Sequence, residues 1–296
     1  MGQGQEQKIR PEPQIEIQER GEIFFFYRSK VNKEEAHSAD DVQRLYIIMR
    51  PESGERAVEV KQRKDGGSQE VNIEEQPLFR FTVMGRKSLP DPNEKSRPYW
   101  GFVEMVTTNA DHVKNALKGG EYETKSRGKR HTSDARALGE GIYRILRHKA
   151  ESGKRSHTHL IYKLEFPGED EKNEPQEAIN IEREGSFIIQ IKNPEEKVGA
   201  GGGGLQKKRK AMFPAHLQGQ LGHVRFAPAD PPDFLNYEGC EFLLISASDH
   251  IEDELGLELL TEEGEHDASC SDLLDTFKFE DTATPSTVPL LKGIWT

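Results

Sequence analysis

The apolar residues of this chain gather into eight short runs, none long enough for an ordinary helix. Residues 23–28 (Ile-Phe-Phe-Phe-Tyr-Arg) carry aromatics at both parities, which predicts a strand covered on both faces. Residues 45–49 form a second run that stops at Arg50-Pro51, because proline cannot continue a central ladder. Phe79, Phe81 and Val83 alternate with Arg80 and Thr82, the period of a half-buried strand. Residues 99–106, 142–148, 158–166, 187–191 and 241–245 complete the set. Helical patterns interrupt them after residue 108 and again near Pro214. Thr108 or Asn109 can cap a short helix with Val113, Ala116 and Leu117 on one face and Gly119 past its end.

Strands that do not alternate with long amphipathic helices argue against a parallel nucleotide-binding sheet. They predict an α+β chain that is mainly antiparallel β, barrel-like or a strongly bent sheet, with a few short helices and disordered termini. Residues 1–14 read as a disordered arm. Residues 15–247 read as a single β-rich domain with flexible insertions at about 52–76, which is polar and aperiodic, and 195–209, which contains a run of glycines. Residues 248–296 read as an acidic, largely disordered tail.

In the hairpin formed by 142–148 and 158–166, Leu160, Tyr162, Leu164 and Phe166 share one face. His157 and His159 share the other. Centring the turn on Gly153 puts Arg147 opposite His159, and a slip of one residue would change which faces meet.

Charge sharpens this outline. The chain has a formal net charge of −11, yet residues 249–281 carry thirteen acidic side chains against Lys278 alone. The remaining body is therefore nearly neutral, and the acidic balance says nothing against an anionic partner. Between Lys125 and His159 there are ten Lys and Arg residues against Asp134, Glu140 and Glu151, together with four histidines. Arg127, Lys129, Arg130, Arg144, Arg147, Lys154 and Arg155 form the candidate anion-binding set, since guanidinium groups grip phosphate or carboxylate oxygens in pairs. Stacking aromatics are sparse there, which leaves nucleic acid as one anion among several.

His157 and His159, with His131 as a third group, are the catalytic candidates if the protein is an enzyme. No third ligand is fixed beside the pair, so neither a metal nor a cofactor is expected. Serine-nucleophile motifs are absent. Cys240 and Cys270 are too few for a disulfide framework, and Cys240 reads as a small buried residue. Lys207-Lys208-Arg209-Lys210 fits a short nuclear-import signal. No apolar stretch approaches the length of a membrane span, so a membrane partner is not expected. The expected location is cytoplasmic, or nuclear if the import run is read.

The runs Gly21-Glu22-Ile23-Phe24-Phe25-Phe26-Tyr27-Arg28, Tyr99-Trp100-Gly101-Phe102-Val103, His157-Thr158-His159-Leu160 and Pro228-Ala229-Asp230-Pro231-Pro232-Asp233-Phe234-Leu235 carry a resemblance. The chain resembles an uncharacterised family of land-plant proteins with shorter bacterial relatives, over residues 15–247. The resemblance implies a cytosolic or nuclear protein and brings no activity, cofactor or site residue with it.

The functional expectation is a noncatalytic anion-binding or interaction module. Its basic hairpin would take a polyanion, nucleic acid or phosphorylated protein, and its acidic tail would modulate that surface or bind other proteins. The alternatives are a hydrolase of phosphorylated substrates built on the histidine pair, and a protein-interaction scaffold.

Overall fold

The computed structural model describes residues 4–296 apart from 12–13, 55, 64, 93, 95–96, 127, 150–155, 168–172, 197–208, 249, 262–270 and 278–286. In chain order the first half contains β1 (Gln5–Lys8), β2 (Ile15–Ser29), β3 (Val42–Glu52), β4 (Val58–Gln62), β5 (Ser68–Asn72), β6 (Phe79–Met84), β7 (Tyr99–Thr107), α1 (Ala110–Leu117), β8 (Gly120–Thr124) and β9 (Gly128–Thr132). There follow β10 (Arg136–His148), β11 (His157–Phe166), α2 (Glu174–Ala178), β12 (Glu184–Lys192), α3 (Ala215–Leu221), β13 (Phe226–Pro228) and β14 (Glu241–Ser248). The chain ends with α4 (Ile251–Leu255), β15 (Leu257–Leu260), α5 (Asp272–Phe277) and α6 (Val288–Lys292).

The strands β11-β10-β2-β3-β6-β7-β14-β12 hydrogen-bond in that order, and β12 returns to β11. Every pairing is antiparallel. The result is a closed eight-stranded barrel, whose own strands leave no free edge. These eight strands are the eight apolar runs of the sequence. Bulges at Ala137/Gly139, Glu140/Gly141 and Ile145/Leu146 bend the long β10 around the wall.

The barrel is filled. Ile23, Phe25, Tyr27, Leu45, Ile47, Met49, Leu160, Tyr162, Leu164, Phe187, Ile189, Phe242 and Leu244 belong to one buried inner cluster. With eight strands an interior is just wide enough for side chains to occupy it. The end where β2 finishes and β3 begins is closed by Ala36, Leu89, Ile179, Ile181 and Trp295, which pack into the same cluster.

A second cluster lies outside the wall: Phe24, Phe26, Tyr46, Ile48, Phe79, Phe81 and Val83, covered by Val113 and Leu117 of α1 and by Leu273, Leu274 and Phe277 of α5. That cover explains why residues 23–28 are aromatic at both parities. It also changes the expectation for β6. Phe79, Phe81 and Val83 point outward beneath the two helices, and Arg80 and Thr82 point into the barrel. Both faces of this strand are buried, where alternation predicted a half-buried one.

The helix α1 begins and ends close to its expected place, with the Asn109 side chain accepting from the Asp111 amide at 2.8 Å. Other expectations need correction. The arm at 1–14 supplies β1, which pairs with β15 of the acidic tail over Gln5↔Leu260 to Lys8↔Leu257. The polar insertion at 52–76 contains the β4–β5 hairpin, with Glu59 and Val71 buried. In its described parts the tail is packed: Ile251, Leu255, Leu257 and Leu259 form a third cluster with Ile142, Leu146 and Ile161, and α5 and α6 bury Leu273, Phe277 and Leu290. The tail's charge concealed these apolar residues, most of which lie one or two at a time between acidic ones. The insertion expected at 195–209 lies outside the described residues, apart from 195–196 and Arg209. No helix among the described residues is long and apolar enough to cross a membrane.

Candidate functional site

The end of the barrel where β2 begins and β10 finishes is polar. Arg80, fully buried, donates from Nη1 and Nη2 to the two carboxylate oxygens of Glu19 at 2.5 and 2.9 Å and from Nε to Asn236 Oδ1 at 2.7 Å. Tyr143 donates its hydroxyl to Glu19 at 2.7 Å, and Asn236 donates its amide to Glu59 at 2.7 Å. Arg56 closes the chain with ion pairs to Glu59 at 2.8 Å and to Asp233.

Burial opposes the charge on Arg80, but the adjacent Glu19 more than offsets it and holds the guanidinium firmly protonated. Burial pushes Glu59 up to about 7, assisted by the charge of Glu19 and resisted by Arg80 and Arg56. A buried charge with three well-placed partners is tolerable, and one without them is not.

The segment 229–236 lies across this end as a plug. Its polar groups recur every third residue, the period of the 3-10 turn at Pro232–Asn236. Asp230 takes Arg147, Asp233 takes Arg56, and Asn236 takes Arg80. Meanwhile Phe234 and Leu235 enter the inner cluster. The sequence marked this stretch only as one of the runs carrying the resemblance. Glu19, Arg56, Glu59, Arg80 and Asn236 went unnoticed; the one available signal was an arginine set between two phenylalanines.

The hairpin of basic residues is β10–β11. Its register places His159 opposite Leu146, Thr158 opposite Arg147 and His157 opposite His148, one residue from the expected pairing of Arg147 with His159. Arg144 is fully buried and donates to Glu6 at 2.8 Å and to the Gly4 carbonyl at 2.9 Å. Burial raises the Glu6 carboxyl, but hydrogen bonds from Arg20 and Arg144 prevail and hold it below its ordinary value. Arg147 donates to both Asp230 oxygens at 2.5 and 2.8 Å and to Glu16 at 3.1 Å. Both guanidinium groups are thus committed to carboxylates of the chain itself.

Lys129 and Arg130 sit on a separate β8–β9 ribbon, opposite Glu123 and Tyr122. Arg127, Lys154 and Arg155 lie outside the described residues, as do Lys207 and Lys208 of the import run. Of that run's remaining residues, Arg209 donates to the Glu104 carbonyl at 2.9 Å and Lys210 to the Pro194 carbonyl at 3.3 Å.

His157 is exposed, and His159 is buried, although both leave the wall on its outer side. The cause is α4, whose Glu254 lies 3.8 Å from His159 Nδ1, while Ser186 Oγ lies 3.1 Å away. Burial, with His148 and His157 adding to it, pushes His159 down to about 3, so it is neutral at physiological pH. His131 belongs to β9, near the opposite end of β10, and faces Glu34 at 3.1 Å. The structure therefore does not bring the three histidines together. Among the described residues no group of three or more His, Cys, Asp or Glu side chains gathers to hold a metal ion.

An open cleft of about 620 Å³ lies outside the barrel, between the β4–β5 hairpin, the end of β7 and α1. Phe81, Met105 and Val106 contribute its apolar lining; Lys61, Gln62, Arg63, Thr108, Asn109 and His112 supply polar groups. His112 Nδ1 is 2.9 Å from Thr107 Oγ1. Glu104 and Glu238 also line the cleft, where Arg209 pairs with both. Its volume falls in the range of small-molecule sites, and an apolar bed with a few convergent polar groups is their usual composition.

No family model, no curated protein and no solved structure matches this chain.

Proposed function

We propose that this protein is a noncatalytic binding module, a sealed barrel that presents the outer cleft beneath α1 to a partner carrying an anionic group. The observation that carries the reading is the contrast between a filled, plugged interior and a cleft of about 620 Å³ on the wall. Arg63 pairs with Asp65 at 2.7 Å, both more than half exposed, and such surface pairs are worth so little that a ligand can recruit the arginine. Lys61 and Arg63 are the electrostatic attraction in this reading. Asn109, Thr108 and His112 supply directional hydrogen bonds, and Phe81, Met105 and Val106 support the ligand's apolar part.

The hydrolase reading loses support because the residues it needs are dispersed and His159 is buried and hard to protonate. The chain's place among cytoplasmic or nuclear plant proteins remains part of the proposal and rests on the four sequence runs and on Lys207–Lys210.

The test is titration of the protein with a phosphopeptide, a short RNA and heparin at two salt concentrations, beside Lys61→Ala/Arg63→Ala. Binding that weakens with salt and drops at least about tenfold in the variant supports the cleft. Binding untouched by the variant moves the site elsewhere, and no binding to any of the three ends the reading.

A further inference from the structure

The short helix α5 packs on the outer wall of the barrel through its apolar residues. It has six residues, below the length at which a helix holds itself together in water. It takes part in no strand ladder, and the barrel closes without it. Its order comes from the wall. Leu273, Leu274 and Phe277 are buried, with the Phe277 ring 5.5, 6.1 and 5.8 Å from those of Phe24, Phe26 and Phe79.

The wall also supplies the cap for its first turn. Glu140 of β10 accepts from the Leu273 amide at 2.7 Å, the Asp272 amide at 3.2 Å and the Ser271 hydroxyl at 2.9 Å. A groove that provides an aromatic box and a backbone-reading carboxylate recognises a helix by pattern, as helix-in-groove complexes do. The fit is incomplete electrostatically. Asp272 lies near Glu22 and its carboxyl is raised by burial, while Glu22 itself is pushed up to about 9 by burial, with Glu52 and Asp272 adding to it against Arg50. Three carboxyl groups, Glu22, Glu52 and Asp272, thus crowd around Arg50 at the docked helix.

We propose that this groove is a docking site for partner proteins carrying a short acidic helix of the pattern Ser-Asp-Leu-Leu-x-x-Phe, and that residues 271–277 occupy it in cis until such a segment displaces them. The chain's own copy defines the chemistry the groove accepts. A tethered copy competes at an effective concentration of about millimolar, so an outside peptide meets a mostly filled site.

The test uses the full chain with Phe277→Ala and a fluorescent peptide of residues 268–279 in which Cys270 is replaced by Ser. The variant should bind the peptide at least about tenfold more tightly than the wild type does, and a peptide lacking the phenylalanine ring should lose at least about tenfold. Ser271→Glu, which removes the hydroxyl that donates to Glu140 and forces a carboxyl into its place without emptying the aromatic box, should open the same site. In the unaltered protein the amides of 271–277 should exchange with solvent at least about a hundredfold faster than those of β2. Equal protection of the two segments would make α5 a permanent part of the core and overturn the proposal. So would two folded variants that both fail to bind the peptide. A wild-type chain that dimerises with concentration while the peptide fails to bind would assign the groove to a second copy instead.

Discussion

The Arg80–Glu19 pair gives a direct test of how the barrel end is held. Replacing Glu19 by Leu leaves a fully buried guanidinium with Asn236 at 2.7 Å and with Glu59 only at 3.7 Å. Removing one partner of a buried pair costs about 3–5 kcal/mol, because the remaining charge stays desolvated. For a chain of this size each kcal/mol is worth roughly 2–4 °C, so the melting temperature should fall by about 6–20 °C. Arg80→Met should cost a similar amount, by stranding Glu19 beside Glu59. The double replacement should cost far less than the sum, since neither charge is then left alone and the Arg56–Glu59 pair at 2.8 Å persists. Tyr143→Phe removes one hydrogen bond to the carboxylate and should cost about 1.5–3 kcal/mol. Urea denaturation of the four variants would measure the cycle. Single losses below about 1 kcal/mol, or a double loss equal to the sum, would refute the claim that this network closes the barrel.

Two further predictions concern the wall. Burial pushes Glu140 up to about 8, against the Leu273 amide and the Ser271 hydroxyl, which favour its charged form. The unfolded chain ionises this group first, so its contribution to stability should decline as pH rises from about 4.5 to 8. Glu140→Gln should flatten that part of the melting profile, and an unchanged slope would refute the assignment. Gly141→Ala would put a methyl 2.1 Å from the Lys163 carbonyl oxygen, within backbone of the adjoining strand. It should destabilise the chain by at least about 2 kcal/mol in denaturant, and a neutral result would mean that β10 and β11 are spaced otherwise.

The eight barrel strands were legible because each is a run of residues buried on at least one face. The short ribbons were not, because β1, β4, β5, β8 and β9 are largely polar and owe their shape to pairing partners distant in sequence or to turns. Phe79-Arg80-Phe81 shows the limit of alternation: the period was right, and the outer cover buried the second face as well. The sequence marked Arg144 and Arg147 as one charged surface, but it could not show that Glu6 and Asp230 fold back onto them from 138 and 83 residues away. The histidine pair is divided by a contact equally distant in sequence, since α4 covers His159 and leaves His157 exposed. The cleft had no sequence signature at all, being assembled from the β4–β5 hairpin, β7, α1 and Arg209.

The separation of charge along the sequence suggested a tail that docks on the basic hairpin by attraction. The described contacts point to a different physical cause. Arg144 and Arg147 are met by the arm, the start of β2 and the plug, whereas the tail is held by leucines and phenylalanines on two outer faces of the barrel. At α5 its Asp272 comes close to Glu22 and Glu52, and Arg50 counters that crowding. Hydrophobic burial thus holds the tail in place against part of its own electrostatics. A contact built that way persists in high salt, which screens the repulsion, and is weakest at low salt and high pH, the reverse of a tail held by attraction to arginines.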